Sequence, residues 1–225
     1  MSPVLEARHL AKGYRDGPRH LPVLLDVSFA LGPGERIAVT GASGVGKSTL
    51  LHLLGGLDRP DSGQVLVAGS DLGAMGEGAL ARWRNRHLGF VYQYHHLLGE
   101  LSALENTSLP LMIRGCSRRE AEKKALEMLR RVGLQERRLH RPGMLSGGER
   151  QRTAIAQALV GTPSCVLMDE PTGSLDPENA RRVGELIGEL SRDSDAAFVL
   201  ATHNPHLAAL ADRVLRLEEG RLLPA

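Results

Sequence analysis

Two rhythms of apolar residues run along this chain. Short apolar runs bounded by turn residues predict strands over residues 4–9, 21–29, 35–39, 63–67, 87–92, 164–168, 196–201 and 213–217. Longer stretches with helical spacing predict helices over 47–55, 78–86, 118–132, 147–159, 177–191 and 205–211. The early strands lie close together, joined by turns such as "RDGPRH" at 15–20 and "LGPGE" at 31–35. The late strands alternate with helices, which implies a parallel sheet with helices on its faces. Between about 71 and 141 the pattern is mostly helical. The expected architecture is α/β: one domain over 1–225 with a parallel-sheet core, an antiparallel β edge and an inserted helical lobe at about 94–160.

Composition narrows the function. Of 225 residues, 42% are hydrophobic and 24% charged, enough for a packed core. Aromatics make up only 3%, which argues against stacking platforms for single-stranded nucleic acid. A net charge of +2 does not suggest a nucleic-acid binder. The two cysteines, Cys116 and Cys165, make no disulfide framework, and Cys165 in the run "CVLM" reads as a small buried hydrophobe. The N-terminal "MSPVLEARHL" lacks a signal-peptide core, and no apolar run is long enough to span a bilayer. Any action at a membrane therefore needs a partner that spans it.

The stretch "RIAVTGASGVGKSTLLHLL" carries the clearest chemistry. An apolar strand leads into Gly41, Ala42, Ser43, Gly44, Val45, Gly46, Lys47, Ser48 and Thr49, and an amphipathic helix follows. This is the phosphate-binding loop G-x-x-x-x-G-K-[ST] in its strand–loop–helix context, the mark of a P-loop NTPase core. Glycines let the backbone curl until several N–H groups converge on phosphate oxygens. Lys47 adds positive charge at the outer phosphates. Ser48 offers a hydroxyl to Mg²⁺ and Thr49 one to phosphate. The run "SCVLMDEPTG" supplies the partner, a buried strand ending in Asp169 and Glu170. Asp169 would hold Mg²⁺, usually through water, and Glu170 would polarise an attacking water.

A second anion-binding candidate lies at "MLSGGERQR". Ser146 is a good N-cap, and Gly147, Gly148 and Glu149 open a helix whose dipole and free N–H groups favour an anion. Taken alone, the same residues describe an ordinary capped helix.

Together, "GASGVGKST", "LSGGE" and "VLMDEP" in that order resemble the ATP-binding subunits of ABC transporters over nearly the whole chain. The resemblance implies an ABC ATPase nucleotide-binding domain using ATP and Mg²⁺. It also implies a second copy of the chain facing the first head to tail, so that Ser146–Glu149 of one grips the γ-phosphate held by Lys47 of the other. It assigns Tyr14 to adenine stacking. Gln93 is assigned to Mg²⁺, the attacking water and communication with a membrane partner. "SLD" at 174–176 becomes the loop crossing the dimer interface, and His203 the γ-phosphate switch. Catalysis would then rest on Glu170, His203, Lys47 and Gln93, and the metal on Ser48, Gln93 and Asp169. Alone, "SLDPE" reads as a helix cap, Asp176 before Pro177. Three positions depart from the family: Glu149 for the common glutamine, Asn204 for aspartate and Gln157 for arginine. None removes a catalytic group.

The stretch "FVYQYHHLLGELSALENTSLPLMIRG" is similar to the lipoprotein-release branch of the family, apart from Gly99 where proline is usual. That branch implies two transmembrane subunits, LolC/LolE-like, and a place on the cytoplasmic face of a bacterial inner membrane. Macrolide-export and cell-division (FtsE-type) ATPases are the alternatives within the group. DNA-repair and ribosomal relatives are disfavoured because the chain has neither a long coiled coil nor a second ATP module. His95 and His96 are adjacent and unaccompanied by a Cys or carboxylate cluster, which argues against a metal site. The resemblance implies that they belong to a contact surface for the membrane subunits.

Overall fold

A computed structural model describes residues 2–17 and 19–225. Pro18, inside the expected turn at 15–20, lies outside the described residues, as does Met1. In chain order the elements are β1 (Leu5–Asp16), β2 (Arg19–Leu31), β3 (Arg36–Thr40), α1 (Lys47–Leu54), β4 (Ser62–Val67), β5 (Ser70–Asp71), α2 (Glu77–His87) and β6 (Leu88–Val91). Then follow α3 (Ala103–Ile113), α4 (Arg118–Arg131), α5 (Gly147–Leu159), β7 (Cys165–Asp169), α6 (Pro177–Arg192), β8 (Ala197–Ala201), α7 (Pro205–Ala208), β9 (Arg213–Glu218) and β10 (Arg221–Pro224).

They form two sheets. One is antiparallel, in the order β2-β1-β4-β5, and is the β edge expected from the early strands. The other runs β10-β9-β3-β8-β7-β6, with every pairing parallel except β9 with β10. Parallel strands buried on both faces read as continuous apolar runs. In "CVLMD" and "AFVLA" the pleat then sends alternate residues to opposite sides. Cys165, Leu167, Ala197 and Val199 pack with α1 and the antiparallel sheet. Val166, Met168, Phe198 and Leu200 pack with α5 and α6. Full burial pushes the Cys165 thiol up to about 12, which fits the small hydrophobe expected there.

The helical lobe holds α3, α4 and α5. Each opens with the same device: Ser102 with Glu105, Ser117 with Glu120 and Ser146 with Glu149 form reciprocal capping boxes. Each satisfies two otherwise orphan N–H groups, and losing the serine side chain costs about 1 kcal/mol.

Several expectations need correction. α3 falls in the stretch expected to be mostly helical but has no helix of its own among the expected ranges, because Pro110 lies inside it and its polar and apolar residues do not separate into faces. The strands β5 and β10 were also missed. β1 continues to Asp16, well beyond residue 9, across register shifts that begin after Ala7. α7 stops at Ala208 instead of 211. Among the described residues no helix is long and apolar enough to cross a membrane.

Gly89 of β6 decides how closely α5 approaches the sheet. A Cβ there would fall 2.5 Å from the Ala158 carbonyl oxygen of α5. Gly89→Ala is expected to destabilise the chain by about 2 kcal/mol, seen as a fall of roughly 4–8 °C in Tm by calorimetry. An unchanged Tm would mean that α5 can move away at no cost.

Candidate active site

The C-terminal ends of β3, β8, β7 and β6 lie along one edge of the parallel sheet, the edge at which open α/β sheets bind ligands. The loop after β3 is the phosphate loop. Gly41 and Gly46 adopt φ values of +147° and +109°, and a Cβ would fall 2.5 Å from the Leu217 carbonyl and 2.7 Å from Val23 respectively. Only glycine suits both positions. Gly46 also caps α1 and has no side chain to satisfy its N–H groups, and the first turn carries no acid. The start of α1 therefore presents bare amides and a positive dipole end to an anion.

Lys47 is buried at the start of that helix. Its Nζ donates to the carbonyls of Gly41 and Ala42 at 3.0 and 3.1 Å and lies 3.7 Å from Glu170 Oε1. Glu170 follows β7 with φ +44°, and its N–H donates to the Ala201 carbonyl at 2.9 Å. Its carboxylate accepts from the Thr202 hydroxyl at 3.2 Å, from the His203 amide at 3.1 and 3.3 Å, and lies 2.8 Å from His203 Nδ1. The carboxylate is thus held between two cationic or titratable side chains and two neutral donors. The imidazole is 71% exposed, whereas the Glu170 side chain is only 15% exposed.

The other expected residues lie around this cluster. Asp169 ends β7, paired with Ala201 of β8. Ser48 is exposed on the first turn of α1. Gln93 follows β6, and its carbonyl accepts from the Ser174 hydroxyl at 3.0 Å, which ties it to the 174–176 loop. Ser48, Gln93 and Asp169 each carry an oxygen donor, the kind of ligand that suits a hard divalent cation such as Mg²⁺. Tyr14 stands on β1 beside Thr49. Burial raises its phenol above the usual range, against an opposing contact from Thr49. Its hydroxyl donates to Asp58 at 2.9 Å, Lys12 Nζ lies 5.2 Å from the ring centroid, and the ring is 41% exposed.

The segment 146–149 is elsewhere. No hydrogen bond or ion pair among the described residues joins it to 41–49. Instead, a Cβ on Gly147 would lie 3.3 Å from Leu175, and one on Gly148 2.9 Å from Asn179, so the start of α5 faces the start of α6. Glu149 is occupied locally. It accepts from the Ser146 N–H at 2.8 Å and pairs with Arg137 at 3.2 Å, and the Ser146 backbone is the main cause that holds its carboxyl below the usual range. Glutamine, the residue that the resemblance leads one to expect at 149, would close the same box. The amides of Gly147 and Gly148 keep no partner among the described residues. Asp176 caps α6 through the Asn179 N–H at 3.0 Å, with Pro177 next, as its pattern predicts.

Two features escaped the sequence reading. Thr202, fully buried, joins the Glu170 cluster. Asn106, also fully buried, accepts from the Leu98 N–H at 2.8 Å and donates to the Leu98 and Leu101 carbonyls, which fixes the loop before α3. The pattern Ser-x-x-Glu at 102–105 was the signal available for that helix. His95 and His96 take left-handed φ values of 61° and 50°. Burial chiefly lowers the His95 pKa, with Arg150 acting the same way and the Gly147 backbone opposing.

Comparison with known proteins agrees with this geometry. A family profile described as ABC transporter matches residues 24–173. The lipoprotein-releasing system ATP-binding protein LolD of Chromohalobacter salexigens is 55% identical over 97% of this chain and 92% of its own length. The LolD of Hahella chejuensis is 54% identical over 98% and 96%. Among solved structures, the ATP-binding cassette MJ0796, a dimer in a post-hydrolysis state bound to ADP and Pi, is similar with a TM-score of 0.89. It is 33% identical over 97% of this chain and 96% of that one.

Proposed function

The chain belongs to the ABC transporter family of ATP-binding subunits, and on that premise we propose that it hydrolyses ATP to drive release of lipoproteins from a bacterial inner membrane. The observation that carries the reading is the split between its two anion sites. Lys47 and Glu170 lie 3.7 Å apart, while no hydrogen bond or ion pair among the described residues joins the start of α5 to them. Neither half is a complete phosphoryl-transfer site. Two copies, head to tail, would complete two sites, each giving one loop and receiving the other.

In the closed pair, ATP lies on the loop 41–47 and the bare amides at the start of α1, with adenine against the open face of Tyr14. Ser48, Gln93 and Asp169 would hold Mg²⁺, which neutralises charge on the β- and γ-phosphates when bound. Lys47 leaves its carbonyl partners for the outer phosphates. Glu170 orients the attacking water and accepts its proton at a carboxylate oxygen. Lys47, His203 and the partner copy's signature amides steady the γ-phosphate oxygens. Phosphoryl transfer asks mainly for such positioning and charge neutralisation.

The link to transport is a surface. Tyr94 and Leu98, just after Gln93, are 74% and 47% exposed, and Ile113 at the end of α3 is 67% exposed. A groove of about 410 Å³ lined by Phe90, Tyr92, His95, Ile113 and Arg114 lies between the sheet and the lobe. We place two transmembrane subunits of LolC/LolE type there, so that Gln93 relays their movement to the crevice. The chain would then sit on the cytoplasmic face of the inner membrane, held only through these partners. Affinity capture of the tagged chain from detergent-solubilised membranes tests this. Two co-purifying membrane proteins and lipoprotein-stimulated ATPase are expected. A single cell-division membrane protein in the captured complex would overturn the lipoprotein assignment.

A further inference from the structure

Thr202 has no place in the mechanism above, yet it touches its central group. It is fully buried at the end of β8. Its N–H donates to the Val39 carbonyl of β3 at 3.0 Å, which anchors it to the strand that leads into the phosphate loop. Among the described residues its Oγ1 has two hydrogen-bond partners: the Asn204 N–H at 3.0 Å and Glu170 Oε2 at 3.2 Å. An amide can only donate, and an ionised carboxylate can only accept. The hydroxyl must therefore accept from Asn204 and donate to Glu170. One proton and one fixed acceptor leave its direction no freedom.

The other contacts to this carboxylate are not equally durable. Lys47 at 3.7 Å and the His203 ring at 2.8 Å are the groups that an arriving γ-phosphate would draw away. The hydroxyl of Thr202 and the amide of His203 are neutral and fixed to the strand end, so phosphate does not compete for them strongly. We infer that Thr202 is a positioning residue for ATP hydrolysis: its hydroxyl holds Glu170 in place while Lys47 and His203 turn to the phosphate. The inference rests on the proposed role of Glu170 and deepens it.

Steady-state ATPase kinetics of the full chain, with its co-purified membrane subunits, test the inference. Thr202→Val keeps the shape and removes the hydroxyl. Its kcat is expected to fall about 10- to 100-fold, with KM for ATP within about twofold of native, because misplacing one group costs chemistry more than binding. Thr202→Ser restores the hydroxyl and is expected to return kcat to within about threefold of native. Should Thr202→Val fail to fold by thermal melting, Thr202→Ala against Thr202→Ser reads the same hydroxyl. In single-turnover assays, adding Thr202→Val to Glu170→Gln is expected to cost less than about twofold more, since both act through one group. Native kcat in the hydroxyl-free variants beside an inactive Glu170→Gln would overturn the role of Thr202 alone. So would a Thr202→Val loss that multiplies in full on the Glu170→Gln background. Native turnover by Glu170→Gln would instead remove the proposed role of Glu170 itself.

Discussion

Glu170→Gln is expected to bind ATP at least as well as the native chain and to lose about a thousandfold in turnover, the middle of the range for removing a general base. The substitution is nearly isosteric, and the amide oxygen can still accept from Thr202 and the His203 N–H. What disappears is the negative charge. Without it, the attacking water loses the carboxylate base placed beside it. The ion pair that holds Lys47 near Glu170 at 3.7 Å also weakens. Lys47 is then freer to meet phosphate, so affinity is not expected to fall. With ATP and Mg²⁺ the variant should accumulate as a closed dimer, because binding proceeds and reopening waits on hydrolysis. Phosphate release and light scattering check the two halves of this expectation. Native phosphate release would remove Glu170 from the mechanism. A slow enzyme that stays monomeric with ATP would leave the chemistry intact and reject nucleotide as the glue between copies.

How much of this was legible in the sequence depends on how local each feature is. The phosphate loop, the strand before Asp169 and the helix after Ser146 are contiguous strand–loop–helix or cap–helix units. Their spacing carries their geometry, and Lys47 and His203 both lie against the Glu170 carboxylate. α3 was hidden because its apolar residues lack a face and Pro110 interrupts it, although its Ser102–Glu105 box announced a start. β10 was hidden because an edge strand of four residues ending in proline has too little pattern to read. Thr202 was hidden for a different reason. Its role depends on β7 and β8 pairing with Asp169 opposite Ala201, which brings the next residues, Glu170 and Thr202, side by side. No spacing along one strand contains that register. Glu149 is the opposite case: its capping task lies in the Ser-x-x-Glu spacing of 146–149, which is local to one helix start.

Mixing two inactive variants tests the sharing of sites most directly. Lys47→Ala removes the cation of the phosphate loop, and Ser146→Arg fills the approach to the Gly147 and Gly148 amides and removes their cap. Each is expected to lower turnover at least about a hundredfold in pure form, the scale of losing a key donor to transition-state charge. Ser146→Arg should still bind ATP as a monomer, because no hydrogen bond or ion pair among the described residues joins 146–149 to 41–49. Losing the cap costs about 1 kcal/mol, which one helix of a packed lobe can bear. In a mixed pair the two defects fall together in one composite site and the other site is native. Random pairing of equal amounts makes half the dimers mixed, so about a quarter of native site activity is expected to return. Tandem capture through two different tags isolates the mixed dimers, in which the expected value is about half. If captured mixed dimers recover nothing, one intact site is not sufficient for turnover, and the sites must fire together or not be shared. If pure Ser146→Arg hydrolyses ATP at the native rate, the second anion site has no part in catalysis. The start of α5 would then be a capped helix and nothing more.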